Sequence, residues 1–178
     1  MDKALHSEHK AIADIFENVL SSDDGLQSNY RLIRDEACGG NQRIPLFYVT
    51  EKSRATEYCN VDLLVLKDNR IRMIVEIEES DVKPTQICGK LLTSALASYY
   101  IHSSRNNEPV EMGESVTFIQ IVDTSKLVED RTSKFDQWKA LEKSIQNILP
   151  LKNSRINEYR LFNIEELADL TSFLKKIV

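Results

Sequence analysis

Apolar residues recur along this chain at two spacings, and the change from one to the other outlines the fold. Over residues 3–20, Leu5, Ile12, Ile15, Phe16 and Val19 fall at helical intervals and predict an amphipathic helix. Ser21-Ser22-Asp23-Asp24-Gly25 brings it to an end with turn residues. Residues 30–34 and 44–50 predict short strands flanking the loop Cys38-Gly39-Gly40-Asn41-Gln42-Arg43, and charged residues fill 51–57. The clearest pattern is a hairpin: a strand over 61–66, the turn Lys67-Asp68-Asn69-Arg70, and a strand over 71–78. Pro84, tolerated in the first turn of a helix, opens one expected to reach Ser103, with Ile87, Leu91, Leu92, Ala95, Leu96 and Tyr99 as its buried face. The almost wholly apolar run 116–122 predicts a buried strand. A helix over 133–149 stopped by Pro150, a strand over 156–162 and a helix over 164–177 complete the chain. The order predicts an α/β fold with a central mixed sheet flanked by helices.

The hairpin carries carboxylates where apolar side chains are expected. Asp62 interrupts one strand, and Glu76 and Glu78 interrupt the other. Strand side chains alternate faces, so Glu76 and Glu78 point the same way. Register decides whether Asp62 joins them. A two-residue turn at Asp68-Asn69 pairs Lys67 with Arg70 and sets Asp62 opposite Val75, with Glu76 on the other face. A three-residue turn through Arg70, or a bulge with the same effect, sets Asp62 opposite Glu76. Clustered carboxylates repel one another and are costly to desolvate. A hard cation removes that cost, and Mg²⁺ prefers oxygen ligands. A solvated hairpin face, with Asp62 merely starting a strand, is the bland alternative.

The segment from Asn60 to Ala97 resembles the PD-(D/E)XK nuclease superfamily, which includes many restriction endonucleases. Its signature is an acid at the start of one hairpin strand and acid-x-Lys late in the next, followed by a helix and a further core strand. Asp62 and Glu76 stand at the two acid positions, and Glu78 stands where the family usually has lysine. Some restriction enzymes of the superfamily carry glutamate there. The resemblance implies a restriction-endonuclease-like core in one domain, 1–178. It also implies Mg²⁺ (one or two ions, Mn²⁺ substituting) held by Asp62, Glu76 and Glu78, and DNA as substrate. The stretch from Glu78 to Lys90 is also similar to the small cleavage subunits of heterodimeric restriction enzymes, whose larger subunit reads the sequence.

The same resemblance gives roles to neighbouring residues. Lys83 or Lys90 is expected to replace the missing motif lysine, and Gln86, one turn from both, to contact DNA alongside Lys83. Glu8, on the apolar stripe of the first helix, reads either as a helix-end carboxylate favoured by the dipole or, by the resemblance, as the acid that completes the metal site. His6 and His9, without evident partners, are expected at the surface. Arg43 and its neighbours Arg31, Arg34, Lys52 and Arg54 flank the glycine loop, where phosphate contacts and scattered surface charge are equally compatible with the pattern. Trp138 reads as a core or interface residue.

Composition narrows the setting. A chain of 178 residues, 42% hydrophobic and 29% charged, fits a single domain with one core. It has no apolar window of the roughly 18 residues a membrane helix needs, and its N-terminus has no apolar signal core. Cys38, Cys59 and Cys88 match neither a zinc site nor a disulfide framework and read as reduced thiols of a cytoplasmic protein. The net charge of −5 argues against grip on nucleic acid by bulk attraction alone. DNA affinity is then expected from metal, from a local basic face, or from a partner, either a larger recognition subunit or a second copy. The main competing reading is a non-catalytic, partner-binding subunit on a decayed nuclease fold. A glycosidase ranks lower, because Glu76 and Glu78 are too close in sequence to straddle a sugar.

Overall fold

The computed structural model describes residues 7–21, 29–79, 83–123 and 131–178. The expected helix start at 3–6 (with His6), the turn residues 22–25 and the segment 80–82 lie outside them.

Helix α1 (Ser7–Ser21) turns Ile12, Ala13, Phe16, Val19 and Leu20 inward, as its helical spacing predicts. Strands β1 (Tyr30–Arg34), β2 (Pro45–Phe47) and β3 (Glu57–Asn60) follow. The hairpin is β4 (Leu63–Lys67) and β5 (Arg70–Glu78), succeeded by α2 (Pro84–Leu96), β6 (Tyr99–Tyr100) and β7 (Val110–Val122). Helix α3 (Arg131–Ile148), β8 (Ile156–Asn163) and α4 (Leu167–Ile177) close the chain. Strand β1 lies antiparallel to β4 and β4 antiparallel to β5, while β7 runs parallel to both β5 and β8. A smaller antiparallel group, β3–β2–β6, joins the beginning of β7. The fold is therefore α/β, a mixed sheet flanked by helices.

Two apolar layers sandwich the sheet. On one face, Leu63, Val65, Met73, Val75, Ile77, Ile119 and Ile121 pack with α1 and α4 residues such as Phe16 and Leu170. On the other, Leu64, Leu66, Ile74, Phe118 and Leu161 pack with Ile87 and Leu91 of α2 and Trp138 and Ile145 of α3. Side chains two apart on a strand share a face, so Glu76 and Glu78 belong with Ile74, beneath α2. Strand β7 serves both parts of the sheet and bends between them: Ile71 pairs with Met112, yet Met73 pairs with Thr117. Gly113 lies in the bend, where a Cβ would meet the Ile71 carbonyl oxygen at 2.9 Å.

The structure departs from the predicted elements where pairing overrides local pattern. Helix α2 stops at Leu96 instead of Ser103: Ala97 N–H closes back on the Ser94 carbonyl, and Ser98 N–H bonds to Phe47 of β2. Tyr99 and Tyr100 then enter the sheet as β6, which suits aromatic residues better than a helix end. Leu92 and Leu96, expected in the buried face, are 49% and 56% exposed. The polar run Glu57–Asn60 forms β3 by pairing with β2. Among the described residues no helix is long and apolar enough to cross a membrane.

Candidate functional site

The geometry of the site begins at the hairpin turn. Asp68 (φ 49°) and Asn69 (φ 59°) both adopt the left-handed conformation of a two-residue turn, and Lys67 pairs with Arg70. That turn alone would set Asp62 opposite Val75. A bulge corrects it: Leu66 pairs with Ile71 but Val65 pairs with Met73, leaving Arg72 as an extra residue in β5. The Arg72 guanidinium donates to the Ser115 carbonyl at 2.7 Å, tying the bulge to the bend of β7. Beyond it Leu63 pairs with Val75, and the same register carries Asp62 to the level of Glu76. Asp62 is held there by its own backbone and side chain. Its N–H donates to the Val75 carbonyl, and its Oδ2 accepts the Ile77 N–H at 2.6 Å.

Burial then sets the electrostatics. Glu76 is 1% exposed, in a layer built mostly of apolar side chains. Burial pushes its carboxyl up to about 8; the nearby Asp62 pushes the same way, and Lys90 opposes both. Asp62 is raised as well, chiefly by burial, with the Ile77 N–H and Lys90 pulling it back. Lys90 reaches in from α2, its Nζ 2.8 Å from Glu76 Oε2 and 2.6 Å from Glu78 Oε1. Burial disfavours the charge on Lys90, yet the two glutamates more than offset this and raise its pKa. Lys90 is three residues beyond buried Ile87 and next to buried Leu91. Its aliphatic stem can therefore lie along the sheet while the ammonium meets the acids.

The structure thus brings Asp62, Glu76, Glu78 and Lys90 together. Lys83 and Gln86 are elsewhere, exposed at the start of α2, where Gln86 Oε1 accepts the Lys83 backbone N–H at 2.9 Å and caps the helix. Glu8 is in the first turn of α1. Its neighbour His9 is the residue that reaches the rim of the site: His9 Nε2 is 3.2 Å from Glu79 Oε1, and His9 acts electrostatically on Asp62. Expected at the surface, His9 is in fact 8% exposed. Its place on the stripe of Ile12, Ala13 and Phe16 was the available signal. Arg43 is exposed and 3.5 Å from Glu57. Arg34 is committed to Asp14 and Glu17 of α1. In the glycine loop, a Cβ on Gly40 would fall 2.0 Å from the Arg34 carbonyl oxygen. Close approach within the chain itself therefore requires that glycine.

Gln120 was hidden in the apolar run of β7. It pairs in register with Glu76 across the β5–β7 ladder, is fully buried, and its Oε1 accepts the Tyr159 hydroxyl at 2.8 Å. Cys38, Cys59 and Cys88 are free, and Trp138 is a core residue.

No family model, curated protein or solved structure matches this chain. The donor set itself tests the fit of a metal. Among the described residues no group of three or more His, Cys, Asp or Glu side chains is arranged to hold one. Mg²⁺ commonly uses only one or two protein carboxylates and completes its shell with water and phosphate oxygens. Asp62 and Glu76 supply that number of carboxylates, Glu76 Oε2 being in contact with Lys90 and Asp62 Oδ2 with the Ile77 N–H.

Proposed function

We propose that this chain is a Mg²⁺-dependent endonuclease that hydrolyses phosphodiester bonds in double-stranded DNA. In this reading it is a type II restriction endonuclease or its small cleaving subunit, working with a larger recognition subunit or with a second copy. The observation that carries the proposal is the bulge at Arg72, which gathers Asp62 and Glu76 on the face where Lys90 meets Glu76 and Glu78. The order helix, hairpin, helix, strand, with β7 parallel to β5, supports it too, since that order accompanies the acid motif in the nuclease superfamily.

Asp62 and Glu76 would hold the ion, Asp62 already oriented by the Ile77 N–H. Bound Mg²⁺ supplies positive charge that polarises the phosphodiester and promotes ionisation of water. Lys90 takes the part of the absent motif lysine, delivered from a helix one strand-end later in the chain. Its ammonium draws a phosphate toward carboxylates that would otherwise repel it. To do so it must loosen its contact with Glu76. His9 lies beside Glu79 at the rim, 3.2 Å from its Oε1. Reduced thiols agree with a cytoplasmic setting.

One observation favours a second reading. Lys90 already contacts both Glu76 and Glu78, and burial favours the protonated form of Glu76, so the cluster is tolerable without metal, as in a non-catalytic, partner-binding subunit. Supercoiled plasmid separates the two. Nicking that requires Mg²⁺, stops with chelator and disappears in Glu76→Ala is the expected result. Inactivity of the chain at every Mg²⁺ and Mn²⁺ concentration, alone and with candidate larger subunits, favours the second reading.

A further inference from the structure

Gln120 is the one polar residue of β7 that shares a face with Phe118 and Val122, in the layer beneath α2 and α3. Its partner across the parallel ladder is Glu76. Register partners on adjacent strands are about 4.8 Å apart and point to the same face, so amide and carboxylate are neighbours with side chains of equal length. Asp62, immediately before β4, Glu76 of β5 and Gln120 of β7 therefore form a row.

The amide is fixed at one end and unused at the other. Gln120 Oε1 accepts the Tyr159 hydroxyl, whose phenol burial keeps protonated and therefore able to donate. This bond sets the amide with its oxygen toward Tyr159. Gln120 Nε2, in contrast, has no hydrogen-bond partner among the described residues, although the side chain is fully buried. Leaving a buried donor unmade is costly, so its retention beside the carboxylates calls for a partner that arrives with a ligand.

We propose that Gln120 is a positioning residue of the carboxylate site: its side-chain amide donates to the Glu76 carboxylate when Lys90 gives way to a divalent cation. Tyr159 aims the amide, and the amide holds Glu76. The inference rests on the metal-binding reading above and adds to it a residue that the acid motif does not contain. The geometry has a direct consequence for residues that never touch metal. Removing the Tyr159 hydroxyl frees the amide to rotate and loosens Glu76 at one remove.

The test is a titration of the whole chain with MgCl₂, followed by NMR of the glutamine side-chain amides and of the carboxylate carbons. The Gln120 amide is assigned by its absence in Gln120→Met. The expected result is that the Gln120 amide protons shift together with the Asp62 and Glu76 carboxylates. Calorimetry on Gln120→Met should show Mg²⁺ affinity lowered roughly 10–100-fold, the range typical for residues that orient metal ligands, with Tyr159→Phe lowered less. Carboxylates that move while the Gln120 amide stays still would overturn the role of Gln120 and leave the metal site standing. Carboxylates that do not respond would overturn both. Should Gln120→Met fail to fold, the Gln120 amide is assigned by through-bond experiments on isotope-labelled wild type, and the wild-type titration with Tyr159→Phe decides.

Discussion

The two faces of the β4–β5 hairpin obey different rules. Toward α1 and α4 it presents Leu63, Val65, Met73, Val75 and Ile77, all 5% exposed or less, with no charge among them. Toward α2 it presents Leu64, Leu66 and Ile74, and then, at the same depth, Glu76. The strands are the same, so propensity does not explain the difference. One face is optimised for burial. The other accepts a desolvated carboxylate, a neighbouring aspartate and an ammonium drawn in from a helix. Departures from good packing confined to one face and one level of a sheet mark the place where the molecule does something other than hold itself together.

The sharpest way to break this comparison is to move the charge across it. Val75→Glu places an unpaired carboxylate in the α1/α4 layer, and we expect a loss of about 4 kcal/mol or more, read by chemical denaturation. Glu76→Leu combined with Lys90→Met, by contrast, should be neutral or stabilising, because apolar replacement of a buried ion pair commonly is. A collapse of the double variant comparable with Val75→Glu would show that both faces serve stability alone.

Removing one partner is a smaller perturbation. Lys90→Ala leaves Glu76 facing Glu78 and Asp62, and should cost roughly 1–3 kcal/mol. That is below the range for a fully buried pair, because Lys90 is 37% exposed and Glu76 can take up a proton. In a Glu76→Gln background the cost should fall to what the 2.6 Å contact with Glu78 contributes, and a double-mutant cycle measures the difference.

Smaller again is the dependence on pH. The folded chain holds a proton on Glu76 up to about 8, against an ordinary value of 4.5. Between those values the native state binds more protons than the unfolded state. The stability this provides is fully present below 4.5 and is lost as pH rises through about 8, with a slope of at most about 1.4 kcal/mol per pH unit. Denaturation midpoints of wild type minus Glu76→Gln should follow this course. Added Mg²⁺ should flatten it by favouring the ionised form. A difference independent of pH would remove Glu76 from the titrating groups.

The least effect is expected from the thiols, which sample the two sides without disturbing them. Cys88, exposed on the outer side of α2, should react with a thiol reagent in the native protein. Cys38 is buried with the α1/α4 layer, and burial pushes its thiol well above the usual range. It should react only on unfolding. Equal rates would mean that the α1/α4 layer opens readily.

Much of this was legible in the chain. Long periodic segments gave α1, α3 and the hairpin nearly to their ends, and the acids stood out because strand pattern forbids them. Strands β3 and β6 escaped because they are made by their partners: Glu57–Asn60 is polar, and Tyr99–Tyr100 continues a helical pattern until Phe47 captures Ser98. The register question had two readings, and both features were needed to answer it. Asp68-Asn69 does form the two-residue turn, while Arg72 supplies the shift by reaching Ser115, a contact between residues 43 apart that no local signal announces. Lys90 and Lys83 looked alike because helical phase places both near the polar edge. Lys83 turns out to cap α2 at its exposed start, while Lys90, two turns further in, meets Glu76 and Glu78. Gln120 was masked by its neighbours Ile119 and Ile121, which lie on the other face.

Calorimetric titration of Mn²⁺ into the chain in the presence of duplex DNA, beside Asp62→Asn and Glu76→Gln, probes the carboxylate site most directly. The expected result is saturable binding by wild type that either substitution weakens at least tenfold. Heats indistinguishable from buffer, or binding unchanged in both variants, would contradict a cation held between β4 and β5 and the nuclease reading with it.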